Sequence, residues 1–158
     1  MPTTNDLPII LLDRNYTLAE NSREVIRDGR FYAVGVERYR AWLRDLIADH
    51  YVILITVRPT SFRQETLRRI KEQLNWQPDE AHFNEWGFRA PTCKERILTT
   101  AVFPRHGDPA DRTYLAIESN DDTARMYRTY GIRRHRAAEI RETPALLVEP
   151  PLATARLF

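Results

Sequence analysis

Short apolar runs alternate with helical patterns along this chain. The runs at residues 7–13, 51–56 and 114–117 are continuously apolar, which is typical of strands buried on both faces of a sheet. A shorter strand is predicted near 82–84 and a last one near 145–148. Strands that are separated by helices predict an α/β fold built on a parallel sheet.

Helical patterns fill the intervals between these strands. Apolar residues recur at helical spacing between Val36 and His50, and a later helix is predicted over 121–130, with Gly131 as its stop. Two pairs of residues have the spacing of a capping box and predict further helix starts. These pairs are Ser61 with Gln64 and Thr92 with Glu95, and the second pair places Lys94 in the first turn of its helix.

The length of 158 residues suits one domain, which we expect to span 1–158 with a core at about 7–149. The tail at 150–158 is expected to be loose or docked, and Asp28-Gly29 predicts a two-residue hairpin. No apolar run approaches the ~18 residues of a membrane span, so no membrane partner is expected. Because no basic segment precedes the first apolar stretch, we expect a cytoplasmic protein.

Charge and cysteine content narrow the possible chemistry. Lys and Arg total 24 against 22 Asp and Glu, a balance that does not by itself indicate nucleic-acid binding. All the basic residues except Lys71 and Lys94 are Arg, which reflects either a coding bias or the use of Arg to bind phosphate. Cys93 is the single cysteine, so an internal disulfide and a cysteine-built zinc site are excluded.

Polar side chains finish three of the predicted strands. They are Asp13, Thr56 and Glu118, and Lys94 opens a nearby helix. Because ligands bind beyond the carboxyl ends of parallel strands, we expect these four side chains to converge. A carboxylate can attack phosphorus, a hydroxyl and an ammonium can stabilise the phosphoryl oxygens, and acidic groups can hold Mg²⁺.

Two groups of charged residues allow two interpretations each. The acidic residues Glu118, Asp121 and Asp122 are either metal ligands or partners for the positive end of the following helix. The basic residues 133–136 are either a solvated charge run or a contact for a nucleic-acid backbone.

Four segments, taken together, resemble motifs of the haloacid dehalogenase (HAD) superfamily. The segment 13–18, DRNYTL, resembles the first motif, and Thr56-Val57-Arg58 resembles the second. Lys94 fits the third motif, and 114–132, YLAIESNDDTARMYRTYGI, resembles the fourth motif with its helix. Within the superfamily, the fourth segment is most similar to the 3′-phosphatase domains of polynucleotide kinases.

The resemblance implies a Rossmann-like three-layer α/β/α sandwich with a hairpin flap after the first strand and no cap domain. It also implies Mg²⁺-dependent phosphatase chemistry through an aspartyl-phosphate. The residues that it points to fall into three sets. The catalytic set is Asp13, Asn15, Thr56 and Lys94; the substrate-binding set is Arg14, Thr17 and Arg58; and the metal-binding set is Asp13, Asn15, Glu118 and Asp122.

The chain departs from the family pattern at three places. Asn15 stands where the family has the Asp that protonates the leaving group, Val57 replaces a usual Gly, and Glu118-Ser119 replaces two Asp. The first hypothesis is therefore a phosphohydrolase with impaired activity on nucleotide or polynucleotide phosphate ends. The alternatives are a catalytically inactive binding or regulatory protein and a subunit whose Arg-rich surface docks on nucleic acid.

Overall fold

Five parallel strands form the central sheet of this computed structural model, which describes residues 7–20 and 37–148 and the backbone of 25–27 and 30–32. The strands of the described residues are β1 (Ile9–Leu12), β2 (Val25–Arg27), β3 (Arg30–Tyr32), β4 (Val52–Pro59), β5 (Glu80–Asn84), β6 (Tyr114–Ile117) and β7 (Arg133–His135). The helices are α1 (Ala41–Ile47), α2 (Arg63–Leu74), α3 (Ala90–Ile97), α4 (Phe103–His106), α5 (Asp121–Thr129) and α6 (Ala137–Glu142).

The sheet has the spatial order β5-β4-β1-β6-β7, with β1 at its centre. All four residues of β1 are buried, and its side chains alternate between two apolar layers. Ile10 and Leu12 pack with residues of α1, α2 and α6, whereas Ile9 and Leu11 pack with residues of α3, α4 and α5. Helices therefore cover both faces, and the three-layer α/β/α fold expected from the sequence is confirmed.

The order of the strands places a switch point between β1 and β6. The chain proceeds from β1 through β4 to β5 on one side, and then returns to form β6 and β7 on the other side. The first two connections run through α1 and α2, and the later ones run through helices of the opposite layer. In open α/β sheets the crevice at such a switch point is the usual ligand site. Asp13 and Glu118 directly follow the two strands that flank it.

The last predicted strand was wrong. Residues Pro144–Val148 form a short 3₁₀ helix instead. The fifth strand of the sheet is β7, whose residues were interpreted from the sequence as part of a charge run. Since β7 lies at the edge of the sheet and pairs with β6 alone, it does not need a continuous apolar sequence.

The two predicted capping boxes were also wrong. Ser61 lies within a 3₁₀ turn before α2, which begins at Arg63 without a side-chain cap. The helix α3 begins at Ala90, so Lys94 lies in its second turn rather than its first. Pro91 lies at the start of α3, where its fixed φ favours the helix and its missing N–H costs little.

Several other predictions are confirmed within the described residues. The strand near 82–84 exists as β5, and α5 is followed by Gly131, whose φ of +73° is the left-handed stop expected there. The helix predicted between Val36 and His50 is present as α1, which covers Ala41–Ile47. The strands β2 and β3 pair as an antiparallel hairpin, while its Asp28-Gly29 turn and the tail at 150–158 lie outside the described residues.

Among the described residues, no helix has both the length and the apolar character needed to cross a bilayer.

Candidate active site

One lysine bridges two carboxylates at the switch point. Lys94 Nζ donates to Asp13 Oδ1 at 2.8 Å and to Glu118 Oε1 at 2.6 Å. The backbone holds the acidic pair in place, because Asp13 N donates to the carbonyl oxygen of Ile117 across the β1–β6 pair. Asp13, Lys94 and Glu118 are 8%, 2% and 1% exposed. The structure thus brings together Asp13, Lys94 and Glu118, three of the four residues that were predicted to converge.

Burial and charge act in opposite directions within this trio. Burial disfavours the ionised form of Asp13, but the Lys94 charge and several hydrogen bonds outweigh it and lower the pKa of the carboxyl group. Burial also disfavours the Lys94 ammonium, yet Asp13 and Glu118 raise its pKa. For Glu118, burial dominates and raises the pKa to about 8. Asp13 and Lys94 are therefore both charged at neutral pH, which keeps the Asp13 carboxylate available as a nucleophile.

Two hydroxyl groups hold the second oxygen of Asp13. Thr17 Oγ1 donates to Asp13 Oδ2 at 2.9 Å, because the turn Arg14–Leu18, with Tyr16 at a φ of +55°, leads the chain back toward the carboxylate. Ser119 Oγ lies 2.9 Å from the same oxygen and 3.0 Å from the main-chain oxygen of Asn15. Ser119 is a site residue that was not predicted, although a hydroxyl group directly after an acidic residue at a strand end was a usable signal.

The Asn15 side chain is fixed by its neighbour. Arg14 Nη1 donates to Asn15 Oδ1 at 2.6 Å, so the amide oxygen is occupied and the NH₂ group is the part left to contact a ligand. An amide does not exchange a proton near neutral pH, so Asn15 offers hydrogen-bond donors rather than an acid or a base at this position.

Arg14 and Arg58, predicted to bind substrate, converge instead on a buried carboxylate. Arg14 Nη2 pairs with Glu37 Oε1, and Arg58 Nη2 donates to the same oxygen at 2.5 Å. Tyr39 accepts from Arg14 Nε at 3.2 Å, and Arg58 Nη1 donates to Thr66 Oγ1 at 2.6 Å. We call Arg14, Glu37 and Arg58 the arginine–glutamate cluster; its members are 0%, 8% and 5% exposed.

Thr56 lies at the same edge of the sheet, on β4. Its side chain is 2% exposed and its hydroxyl accepts a hydrogen bond from the Arg58 main-chain N–H at 3.1 Å. The hydroxyl proton of Thr56 is therefore not used in this contact, and it can be donated to an oxygen of a ligand.

The predicted ligand Asp122 does not join the trio. Its carboxylate is exposed and pairs with Arg125, while Asp121 accepts from Arg134 and Arg136. No group of three or more His, Cys, Asp or Glu residues with metal-binding geometry occurs within the part of the chain that the structure describes. The oxygens that do lie together come from Asp13, Asn15 and Ser119.

Solved structures share this fold. Two chains from structures described as the Pnkp1/Rnl/Hen1 RNA repair complex and the Pnkp1/Rnl/Hen1 complex superpose with a TM-score of 0.58 each, at 13% sequence identity. They cover 86% and 82% of this chain, which spans 44% and 46% of theirs. No protein-family profile and no curated protein sequence matches the chain. The protein is thus an α/β protein with a Rossmann-like three-layer fold, similar in architecture to part of those repair-complex chains.

Replacing Lys94 by Met tests the central trio. The variant leaves the buried Asp13 carboxylate without its counter-ion, next to the Glu118 carboxyl group, and we expect the free energy of unfolding to fall by about 3–5 kcal/mol at pH 7. Loss of the ammonium raises both carboxyl pKa values, so stability should return as the pH is lowered toward ~5 and should fall as the pH rises. Urea unfolding at both pH values measures this difference.

The exposed Lys71 offers a matched control, since Lys71→Met removes the same charge outside the trio. It should change stability by no more than ~0.5 kcal/mol. Equal, small losses in the two variants would show that Lys94 does not hold the carboxylates together.

Glu37→Gln tests the arginine–glutamate cluster. The substitution leaves two buried guanidinium groups without their shared carboxylate, and we expect a loss of about 3–5 kcal/mol by urea unfolding. Burial opposes ionisation of Glu37, but Arg14 and Arg58 outweigh it and lower its pKa below the ordinary 4.5. The stabilisation is therefore present above pH 4.5 and is lost as the pH falls through the lowered pKa.

The control for this prediction is Glu72→Gln, which breaks an exposed pair with Arg68 and should cost less than ~1 kcal/mol. A difference between Glu37→Gln and wild type that persists unchanged in strong acid would contradict an electrostatic role of the cluster.

Proposed function

We propose that the protein is a phosphohydrolase that accepts the phosphoryl group of nucleotide or polynucleotide phosphate ends on Asp13. The observation that carries this proposal is the ionised, buried Asp13 carboxylate, paired with Lys94 at the switch point of the sheet. The similarity in fold to chains of an RNA repair complex supports the choice of substrate class. The resemblance of four sequence segments to HAD motifs supports the choice of reaction.

Each residue of the site has a role in this reaction. Asp13 attacks phosphorus, the bond from phosphorus to the leaving oxygen breaks, the leaving oxygen takes a proton from solvent water, and an aspartyl-phosphate forms. Lys94 lies within hydrogen-bond distance of Asp13 and neutralises the negative charge that develops on the phosphoryl oxygens. Thr56 donates its hydroxyl proton to one of those oxygens. Water then attacks phosphorus and gives a proton to solvent, the bond from phosphorus to the Asp13 oxygen breaks, and inorganic phosphate and the Asp13 carboxylate are released.

The oxygen donors fit Mg²⁺ with two of the predicted ligands, Asp13 and Asn15, and with Ser119 in place of Glu118 and Asp122. The Asp13 carboxylate, the Asn15 main-chain carbonyl and the Ser119 hydroxyl are hard oxygen donors that lie together. Mg²⁺ is usually held by one or two carboxylates, with water and substrate phosphate completing its shell, and a serine hydroxyl can join them. Bound Mg²⁺ would supply positive charge to the phosphoryl oxygens. Glu118 then acts through Lys94, and Asp122 has no part in the site.

Asn15 sets the rate of this reaction. It can hydrogen-bond to the leaving oxygen but cannot protonate it, and it cannot deprotonate the attacking water. General acid–base help is worth ~10²–10⁴-fold, so hydrolysis of sugar phosphates should be slow by about that factor.

Asp13→Asn tests the nucleophile. Because an amide does not attack phosphorus, Mg²⁺-dependent phosphate release from a 3′-phosphorylated oligonucleotide should fall to the background rate. The control Asp45→Asn removes an exposed carboxylate that pairs with Arg44, and it should retain the wild-type rate. Release that is equal in wild type and Asp13→Asn would exclude Asp13 as the phosphoryl acceptor.

Asn15→Asp tests the missing base. The new carboxylate would face Arg14, which keeps it ionised and suits it to deprotonating water. We expect phosphate release to rise by about 10²-fold for p-nitrophenyl phosphate, whose leaving group needs no proton, and by less for a nucleoside 3′-phosphate. Asn75→Asp adds the same charge outside the site and should change neither rate. A larger gain with the nucleoside 3′-phosphate would contradict this assignment.

A catalytically inactive, phosphate-binding role is the second candidate. It is favoured by Lys94, which already occupies one oxygen of each carboxylate, and by the Asn15 amide. It predicts no phosphate release from any substrate, including in Asn15→Asp, together with retained binding of phosphorylated ligands.

A further inference from the structure

A groove lined by arginines lies beside the candidate active site. It has a volume of about 600 Å³ and is formed by residues of α5, β7 and the first turn of α6. We call it the arginine groove, defined by its four lining arginines: Arg125, Arg128, Arg133 and Arg134. The acidic residues on its wall are Asp121 and Glu139.

Positive charge exceeds negative charge in this groove. Four arginines line it and Arg136 adjoins it, while the carboxylates of Asp121, Asp122 and Glu139 pair with or face these arginines; five positive charges against three negative ones leave a formal excess of two. Asp121 is moreover shared, because its Oδ1 accepts from Arg134 Nη2 at 2.8 Å and from Arg136 Nη2 at 2.7 Å. Glu139 Oε1 accepts from the main-chain N–H of Arg136 at 3.0 Å, so this carboxylate contributes to the start of α6. The net positive charge of this surface favours an anionic ligand.

One of these arginines, Arg134, and the adjoining Arg136 hold the loop of the active site. Arg134 Nη1 donates to the main-chain oxygen of Glu118 at 3.3 Å, and Arg136 Nη1 donates to that of Ser119 at 3.2 Å. Ser119 in turn contacts Asp13 through its hydroxyl group. The groove therefore begins two residues beyond Ser119, at Asp121, and continues away from the site along α5.

We propose that the arginine groove binds the phosphodiester backbone of the nucleic-acid strand whose phosphorylated end lies at Asp13. This inference rests on the proposed function and adds to it a binding track for the rest of the strand. Guanidinium groups match phosphate oxygens in a fork, and a strand supplies phosphates at regular intervals. An acidic peptide fits less well, because Ala124 and Ile132 are the apolar residues of the lining and offer little to anchor a side chain.

The test compares two double variants of equal charge. Arg125→Gln with Arg128→Gln removes exposed positive charge from the groove, and Arg68→Gln with Arg96→Gln removes the same charge from exposed positions on α2 and α3. Binding of unphosphorylated RNA and DNA oligonucleotides, about ten nucleotides long, is measured by fluorescence anisotropy over a range of salt concentrations.

We expect the groove variant to bind roughly tenfold more weakly than wild type, with a salt slope smaller by about 1.4, since each lost phosphate contact contributes about 0.7 for a single strand. The control variant should stay within about twofold of wild type. Weaker binding of both polymers would assign the groove to the shared phosphodiester, and weaker binding of RNA alone would assign it to RNA. Equal binding by the two variants, or displacement of the oligonucleotide by polyglutamate at equal charge concentration, would overturn the proposal.

Phosphate release separates this inference from the proposed function. The groove variant could keep its rate on p-nitrophenyl phosphate and still bind oligonucleotides as wild type does. That result would contradict strand binding by the groove and leave the proposed active site supported. If no variant releases phosphate but the groove variant alone loses oligonucleotide binding, strand binding by the groove is supported and the proposed phosphohydrolase function is contradicted.

Discussion

The shared Lys94 ammonium is the interaction on which the candidate site depends. Asp13 and Glu118 follow neighbouring strands, and the buried Asp13 carboxylate would have no counter-ion without the cation that lies between the two groups. Lys94 comes from α3, so the trio also joins the helix layer to the carboxyl edge of the sheet. The arrangement keeps Asp13 ionised in a buried position, which is the property that a phosphoryl acceptor needs.

The arginine–glutamate cluster is a second buried charge cluster, and it holds the turn after Asp13 from the opposite face of the sheet. Asp13 and Arg14 are consecutive, yet Asp13 contacts Lys94 on α3 while Arg14 pairs with Glu37 and contacts Tyr39, which packs in the opposite layer. The turn that begins at these two residues is therefore held at both faces of the sheet. Arg14 also fixes Asn15, so the arginine–glutamate cluster positions the amide that replaces an acid or base in the site.

The sequence predicted those parts of the molecule in which one physical signal dominates. The strands β1, β4 and β6 are buried on both faces, so their apolar runs were evident, and their polar ends indicated where Asp13 and Glu118 would meet. The edge strand β7 needs no apolar run, and its arginines gave the sequence pattern of a charge run rather than of a strand. The roles of Arg14 and Arg58 depend on Glu37, a long-range contact with no local pattern. Local spacing likewise suggested helix starts at Ser61 and Thr92, but the helices begin elsewhere.

The role of Asp13 as the phosphoryl acceptor is tested most directly by locating the phosphoryl group during the reaction. The protein is incubated with Mg²⁺ and a 3′-phosphorylated oligonucleotide, quenched in acid and analysed by intact-protein and peptide mass spectrometry. We expect one added phosphoryl group on Asp13, absent in Asp13→Asn and less abundant in Asn15→Asp, where water is activated and the intermediate is short-lived. Phosphate release with no phosphoryl group on Asp13, or with one on another residue, would contradict this role.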